Sequence, residues 1–409
     1  MDSPNLERGI QLFEIGRYQD AIPYFQTALA EDIDNSNAKY FLAQAFFLNN
    51  DLDKALTLAL ELRAEMPNWP SLYFLLSQIY LHQDNIKEAE EHIDKSIELN
   101  PESENAFGQK AYIQIHKKKF EAALNFANEG LRINPKSNFC LNARTMALTK
   151  LNRKEEAKVT IENLLEDDPE DAHSHANVGW SYLEHNDTKK ALTHFKEALS
   201  LNPNLDYARS GMLTAIKSKN KVYNLYLRYS FWMNKQSGKN QWVFIIGIYL
   251  VYKLSVTLIS VSGYTFLLIP IIIIYLLFAL GSWIMEPLSN MLLILDKYGK
   301  YLLNEKEKQS GQIFFGLLVG SLLMFLCNIL TKNEYFIMLS LTCLAAILPL
   351  TRGILADTKK SKIINLAYGG IMLLSAITMS LIGTPISTIG ITVGIMFVAY
   401  TWLSNFFTK

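Results

Sequence analysis

The stretch that decides the fold is residues 178–203, VGWSYLEHNDTKKALTHFKEALSLNP. Its Ala191 and Pro203 each have equivalents upstream at a fixed interval. Six alanines are spaced 34 residues apart: Ala21, Ala55, Ala89, Ala123, Ala157 and Ala191. Five prolines keep the same interval: Pro67, Pro101, Pro135, Pro169 and Pro203. In the first unit, Ile33 stands where this proline would be. This self-similarity predicts an array of six stacked repeats.

The unit resembles the tetratricopeptide repeat (TPR), whose period is 34 residues. The sixth unit carries the fingerprint of that family: Gly179, Tyr182, Ala191, Phe195, Ala198 and Pro203. Thr145 and Gln114 depart from the pattern in the middle units. The resemblance implies two antiparallel helices per unit, with alanine where they cross and proline where the second helix stops. Stacked units would form a superhelix with a concave groove, closed by a capping helix at 206–217.

The resemblance also implies that the first helix of each unit lines the concave groove. Carried onto this sequence, the groove wall consists of aromatic and amide side chains: Phe13, Tyr40, Gln44, Phe47, Phe74, Gln78, Asn105, Tyr112, Asn142 and Trp180. Aromatic rings anchor the side chains of an extended or helical segment, and amides bond to its backbone. We expect a protein or peptide partner there, with packing between helices as an equal alternative for each residue.

The charges divide the chain into two halves. Residues 1–206 contain 33 Asp and Glu against 21 Lys and Arg, whereas the remainder contains 6 against 18. Half of all residues are apolar and 19% are charged, which predicts a membrane portion. The basic residues lie beside apolar runs rather than in one stripe, so we expect no nucleic-acid partner.

Six apolar segments in the second half have the length of a membrane-spanning helix. They lie at about 242–261, 264–285, 312–330, 335–351, 363–381 and 386–404. If the first half is cytoplasmic, the inside segments contain fifteen Lys and Arg and the outside turns contain one. The positive-inside rule then predicts a multi-pass protein of the inner (cytoplasmic) membrane, with both termini in the cytoplasm.

Three domains follow from these patterns: a TPR domain at 1–217, a basic aromatic juxtamembrane segment at 218–241, and a six-span domain at 242–409. The fold class is therefore all-α, a TPR superhelix followed by a polytopic helical membrane bundle. Between the second and third spans, apolar residues at helical spacing predict an amphipathic interfacial helix at about 287–303, beginning at Pro287. Binding of this helix to the repeats is the alternative.

Lys253 lies near the middle of the first span, where a charge is costly. It predicts either a buried site for an anion or a lysine that reaches the interface. Two GxxxG patterns place small residues for helix packing within the bundle, or for dimerisation: Gly316, Gly320, Gly390 and Gly394.

The chemistry-bearing residues give no sign of an enzyme. The histidines of the sixth repeat, His173, His175, His185 and His194, are expected to be solvated rather than to bind metal. The three cysteines are far apart, and no catalytic or phosphate-binding motif is present in the sequence. We therefore expect no catalysis, no cofactor and no metal.

The arrangement resembles bacterial membrane proteins of unassigned activity that join cytoplasmic TPRs to a helical bundle. The leading hypothesis is an integral membrane adaptor or scaffold, which binds a protein partner at the inner membrane face, alone or with other membrane subunits. The alternative is a transporter or lipid-handling protein with the repeats as its regulatory module.

Overall fold

The structure, a computed structural model, describes residues 3–262, 264–295 and 303–407. These residues form α-helices and one short 3-10 helix, with no β-strand among them. The predicted all-α fold class is confirmed. Contacts divide the chain into two compact units, Met1–Met212 and Leu213–Lys409.

The first unit is a series of short helices joined by tight turns. In chain order they are α1 Pro4–Glu14, α2 Tyr18–Glu31, α3 Ser36–Leu48, α4 Leu52–Glu65, α5 Pro70–His82, α6 Ile86–Leu99, α7 Glu104–His116, α8 Phe120–Ile133, α9 Asn138–Lys150, α10 Lys154–Asp167, α11 Ala172–Glu184 and α12 Thr188–Leu201. Helix α13, Asp206–Lys217, follows them. From α1 to α12, each odd-numbered helix packs against the next even-numbered one, and each pair packs against its neighbour.

A third series with the same period forms the turn inside each repeat. Its members have φ between 57° and 77°: Gly16, Asn50, Asp84, Lys118, Asn152 and Asn186. Glycine, asparagine and aspartate tolerate this left-handed conformation better than other residues. The turn reverses the chain within each repeat, so that its two helices lie antiparallel.

The repeated alanines lie where the two helices of a repeat cross, as the resemblance implied. All six are at most 1% exposed. Glycine is required at the first and sixth crossings for the same reason: a Cβ on Gly9 would lie 2.5 Å from the Phe25 ring, and one on Gly179 would lie 2.7 Å from Phe195. Close backbone approach thus lets one large aromatic ring fill each of these crossings.

The second unit consists of longer, more apolar helices. They are α14 Lys221–Lys235, α15 Gly238–Ser262, α16 Leu268–Leu295, α17 Glu305–Thr331, α18 Tyr335–Leu355, α19 Lys359–Ile382 and α20 Ile386–Phe407. By length and composition, five described segments could cross a membrane: Asn240–Ser262, Glu305–Thr331, Tyr335–Leu355, Lys359–Ile382 and Ile386–Ser404. The described part of α16 contributes only a shorter apolar segment, Trp283–Leu295, so the predicted span at 264–285 stays a prediction.

The expected start of an amphipathic helix at Pro287 is wrong. Pro287 lies inside α16, which continues to Leu295. A proline removes one backbone donor from a helix, but here its side chain and that of Asn290 are buried. Packing of this face outweighs the lost hydrogen bond. The rest of the predicted amphipathic segment, 296–302, lies outside the described residues.

Candidate functional site

The predicted groove wall lies on the first helices of the repeats, α1, α3, α5, α7, α9 and α11. Eight of its ten residues are half-buried, Asn142 is buried and Asn105 is exposed. Their contacts separate those that join repeats from those that remain open to a ligand.

Tyr40 joins the second and third repeats. Its hydroxyl donates a hydrogen bond to the Ser71 carbonyl (3.3 Å) and accepts one from Gln44 Nε2 (3.0 Å). The Tyr40 ring lies 4.7 Å from the Trp69 ring. Burial raises the pKa of Tyr40 to about 12, so its hydroxyl stays protonated at neutral pH. Gln44 retains its carbonyl oxygen for a ligand.

The three phenylalanines of the wall each pack on a neighbouring element with one side. The Phe13 ring lies 5.7 Å from that of Phe41, and the Phe47 ring meets the edge of His82 at 5.1 Å. Phe74 packs against the buried cluster that includes Ala89, Ile93, Ala106 and Ile113. The half of each ring that stays exposed offers apolar surface to a ligand.

Asn142 is committed to contacts between the fifth and sixth repeats. Its amide nitrogen donates to Asn138 O and Ser174 Oγ, both at 2.9 Å, and its oxygen accepts from Asn177 Nδ2 at 2.9 Å. Both donors and one acceptor position are therefore used internally. Asn142 acts as a packing residue here, the alternative considered for every member of the wall.

Trp180 is also tied to a neighbouring helix. Its indole nitrogen donates to the Tyr207 carbonyl at 3.4 Å, and its ring meets the edge of Phe195 at 5.6 Å. Trp180 is half-buried and is the last residue of the wall, in the sixth repeat.

The open part of the wall lies in the third and fourth repeats. Asn105 at the start of α7 is exposed, and Gln78 on α5 is half-exposed. The Tyr112 ring lies 4.9 Å from that of Phe139, and burial raises the Tyr112 pKa, which keeps the hydroxyl neutral. Amides beside aromatic rings can bond to a peptide backbone and cover its side chains.

A charged cluster that the sequence did not predict joins the third and fourth repeats. Lys110 is 6% exposed and donates to Glu90 (3.2 Å) and Asp94 (2.6 Å). Gln114 donates to Glu90 at 2.7 Å, and Lys117 also pairs with it. Burial would raise the Glu90 pKa, but hydrogen bonds from Lys117 and Gln114 and the charge of Lys110 lower it to about 2. One sequence signal for this cluster was Gln114, a polar residue at a position where the repeat pattern usually has an aromatic one.

The expectation of solvated histidines is wrong for three of the four, because only His173 is exposed and His185 is half-buried. His175 is buried, and its Nδ1 lies 3.2 Å from Nδ1 of half-buried His194. The His194 ring also stacks on Tyr182 at 5.4 Å. Burial, together with the charges of His175 and Lys190, lowers the His194 pKa to about 4. The described residues contain no group of three or more His, Cys, Asp and Glu that could hold a metal.

The structure places Lys253 on the outer surface of α15, exposed to the surroundings of the bundle. This position does not favour the hypothesis of a buried anion site formed by this residue. The four glycines of the GxxxG patterns differ in their contacts. A Cβ would meet nothing within 4 Å at Gly316, Gly320 or Gly394, and only the Met338 sulfur at 3.5 Å at Gly390. The predicted role of these glycines in packing within the bundle, or in dimerisation, stays a prediction.

The first unit is thus a solenoid of helical pairs with a fixed 34-residue period. Family models described as tetratricopeptide repeat match residues 12–79, 70–103 and 172–205. The chain contains tetratricopeptide repeats, and such repeats form a protein–protein interaction module. Proteins of this repeat family are typically non-catalytic scaffolds. No curated protein matches the chain.

Three solved structures illustrate the likeness. One is the APC/C hetero-tetramer Cut9–Hcn1, with 21% identity over 52% of this chain and a TM-score of 0.46. The match covers 42% of that chain. A tetratricopeptide repeat protein from Parabacteroides merdae shares 19% identity over 52% of this chain and 83% of its own, with a TM-score of 0.46. YrrB, described as having an unusual peptide-binding site, shares 20% over 45% of this chain and 95% of its own, with a TM-score of 0.32.

Proposed function

We propose that the protein is an integral membrane adaptor, whose repeat groove binds a segment of a protein partner while its apolar helices lie in a bilayer. The observation that carries this proposal is the combination of an open amide-and-aromatic wall with helices that leave their apolar surface exposed. The domain limits at 1–217, 218–241 and 242–409 belong to the same proposal, as do the inner membrane and the cytoplasmic position of both termini.

Support for the bilayer comes from the surfaces of the second unit. Leu330, Leu381 and Ile382 are each 82% exposed, and none of the most apolar window of α15 is buried. Exposing apolar surface to water costs about 25 cal/mol per Å². Surfaces of this extent mark membrane or protein contacts, and hydrogen-bonded helices satisfy the backbone in oil.

Support for a peptide ligand comes from the third and fourth repeats. Exposed Asn105 and half-exposed Gln78 keep their amides available, whereas Tyr112 and Phe74 supply apolar surface beside them. The partner that fits this wall is an extended or helical segment carrying at least one large apolar side chain. The exposed position of Lys253 gives the transporter alternative no support from that residue.

The test uses the full chain in its native membrane. Alkaline washing should leave it in the membrane fraction, and purification in mild detergent should retain its partner. Asn105→Ala combined with Gln78→Ala should reduce recovery of that partner about tenfold, since each lost hydrogen bond contributes about 0.5–1.5 kcal/mol. Asn125→Ala is the matched control, because Asn125 is an exposed asparagine on α8 of the same repeat as Asn105.

Two results would contradict the proposal. Release of the chain by alkaline washing would exclude an integral membrane protein. Equal partner recovery from the double variant and from Asn125→Ala would exclude the groove as the binding surface.

A further inference from the structure

One end of the helical bundle contains a concentration of buried polar side chains. At this end α16, α18 and α20 finish and α17 and α19 begin. Asn290, Ser310 and Ser404 are 0% exposed and Asn365 is 2% exposed. Buried polar groups ordinarily have hydrogen-bond partners, and in membrane bundles they mark functional positions.

Part of this cluster is a hydrogen-bonded chain that lies beside one arginine. The Tyr400 hydroxyl of α20 donates to Asn365 Oδ1 of α19, and Arg352 on α18 lies beside this hydroxyl. The Asn365 amide then donates to the Ser361 carbonyl at 2.8 Å. The Arg352 guanidinium also lies 4.9 Å from the ring centroid of Trp283 on α16. Residues of α16 and α20 therefore lie against this cation.

Arg352 nevertheless lacks a counter-charge within the described residues. Its Nη1 atom is buried and has no hydrogen-bond partner there. Three acids at this end are used elsewhere: Asp357 pairs with Lys306 at 3.4 Å, Glu305 pairs with Lys308 at 2.9 Å, and Glu307 accepts from the Asn304 backbone nitrogen at 2.8 Å. Glu286 of α16 is exposed and forms no ion pair with Arg352 among the described residues. A guanidinium stays charged at physiological pH, and an unpaired buried charge is strongly unfavourable. An anion from outside the chain would satisfy it.

Two neutral side chains lie at the same level of the bundle with their polar atoms unused. Lys306 of α17 bonds to the Ala356 carbonyl at the end of α18, so Ser310, one turn further along α17, lies level with Arg352, one turn back along α18. Asn290 follows Trp283 by seven residues, which places both on one face of α16. Neither amide atom of Asn290 nor the hydroxyl of Ser310 on α17 has a partner in the described part of the chain. The two helices cross closely here, since a Cβ on Gly311 would lie 2.8 Å from the Met291 backbone nitrogen. Asn290 and Ser310 thus occupy adjoining faces with free donors.

We propose that this end of the bundle binds a phosphate group. Arg352 Nη1 supplies the charged donor, and Asn290 and Ser310 supply neutral donors. A phosphate offers several acceptor oxygens to donors that arrive from different helices, and its charge and geometry suit a guanidinium. The phosphate belongs either to a lipid headgroup or to a soluble phosphate compound. The site does not involve the repeat groove, so its test is separate from that of the adaptor function.

The experiment measures thermal unfolding of the full chain, purified in an uncharged detergent without phosphate. The additions are phosphatidylglycerol, diacylglycerol with the same acyl chains, and inorganic phosphate. The wild-type unfolding temperature should rise with phosphatidylglycerol but not with diacylglycerol. Arg352→Gln should weaken this response about tenfold or more in apparent affinity, since a charged hydrogen bond is lost. Lys308→Gln, at the same end but half-exposed and paired with exposed Glu305, is the matched control and should respond like the wild type.

Each outcome decides the proposal. A response to phosphatidylglycerol alone supports a lipid phosphate, whereas an equal response to inorganic phosphate supports a soluble one. Equal responses to phosphatidylglycerol and diacylglycerol, no response to any addition, or an unchanged response of Arg352→Gln would overturn it. If Arg352→Gln does not fold, Asn290→Ala takes its place, and a wild-type response from that variant would overturn the proposal equally.

Discussion

The Gln114 amide donates a hydrogen bond to the Glu90 carboxylate over 2.7 Å and thereby ties α7 to α6. Lys110 bonds to the same carboxylate from a position that is 6% exposed. Charged hydrogen bonds between two repeats resist their rotation against each other. The cluster therefore stabilises the angle between the third and fourth repeats, whose first helices form the open part of the wall.

Acid should weaken this contact in a defined pH range. The Glu90 pKa is about 2 in the folded chain and near 4.5 when unpaired, so its contribution to stability is complete above pH 4.5 and disappears as the pH falls towards 2. Glu90→Gln should flatten the dependence of the free energy of unfolding on pH between these values, as measured by denaturant unfolding. Glu98→Gln is the control, because Glu98 belongs to an exposed pair with Lys95. A Glu90→Gln profile that parallels the wild type would contradict this assignment.

His194 should produce a second pH dependence at milder acidity. Its pKa is about 4 in the folded chain against 6.5 unperturbed, so the unfolded chain binds a proton first as the pH falls. Stability should be complete above pH 6.5, decline down to about pH 4, and level off below it. His194→Gln should remove this decline, whereas His173→Gln, at an exposed position, should keep it. The idea fails if both variants retain the same slope.

Gly179 tests the helix crossing in the sixth repeat. A Cβ there would lie 2.7 Å from the Phe195 ring, so Gly179→Ala should destabilise the repeats by about 1–3 kcal/mol through overpacking. Phe195→Leu in the same chain should recover part of the loss, because it removes the clashing ring. Chemical denaturation followed by circular dichroism measures both changes. A Gly179→Ala variant as stable as the wild type would show that the crossing relaxes freely.

Asn142 and Asn105 separate the two roles expected for wall residues. Asn142→Ala should lower the free energy of unfolding by about 1–3 kcal/mol, because the half-buried Asn177 amide loses its acceptor and the buried Ser174 hydroxyl loses a donor. Asn105→Ala should leave stability within about 0.5 kcal/mol, as expected for an exposed side chain. Equilibrium unfolding distinguishes them. Similar losses in both variants would mean that Asn105 is also a packing residue.

Much of the first unit follows from sequence because its period is strict. Ala21 and its equivalents predicted every helix crossing, since only a small side chain fits there. The turn series that begins at Gly16 was present in the sequence as well. Lys118 hides it, because lysine is not a residue type that favours the left-handed conformation. That lysine adopts the same left-handed conformation because the flanking helices impose it.

The groove was harder to predict because a position on the wall does not determine its contacts. Asn142 and Asn105 occupy first helices one repeat apart, yet Asn142 is buried by the amide network and Asn105 is exposed. Whether a wall side chain forms a hydrogen bond to the next repeat depends on which residues of that next repeat lie opposite it. Likewise, Arg352 appeared at the end of an apolar segment, and only the structure brought Tyr400 and Trp283 to it.

Site-specific photo-crosslinking in intact membranes tests the central claim most directly. A photoreactive amino acid placed at Asn105 should form a covalent adduct with one partner protein, and the adduct should sediment with membranes after alkaline washing. The same amino acid at Asn125, exposed on α8, should give no such adduct. Adducts of equal yield from both positions, or an adduct that alkaline washing releases, would contradict a membrane adaptor with its partner in the groove.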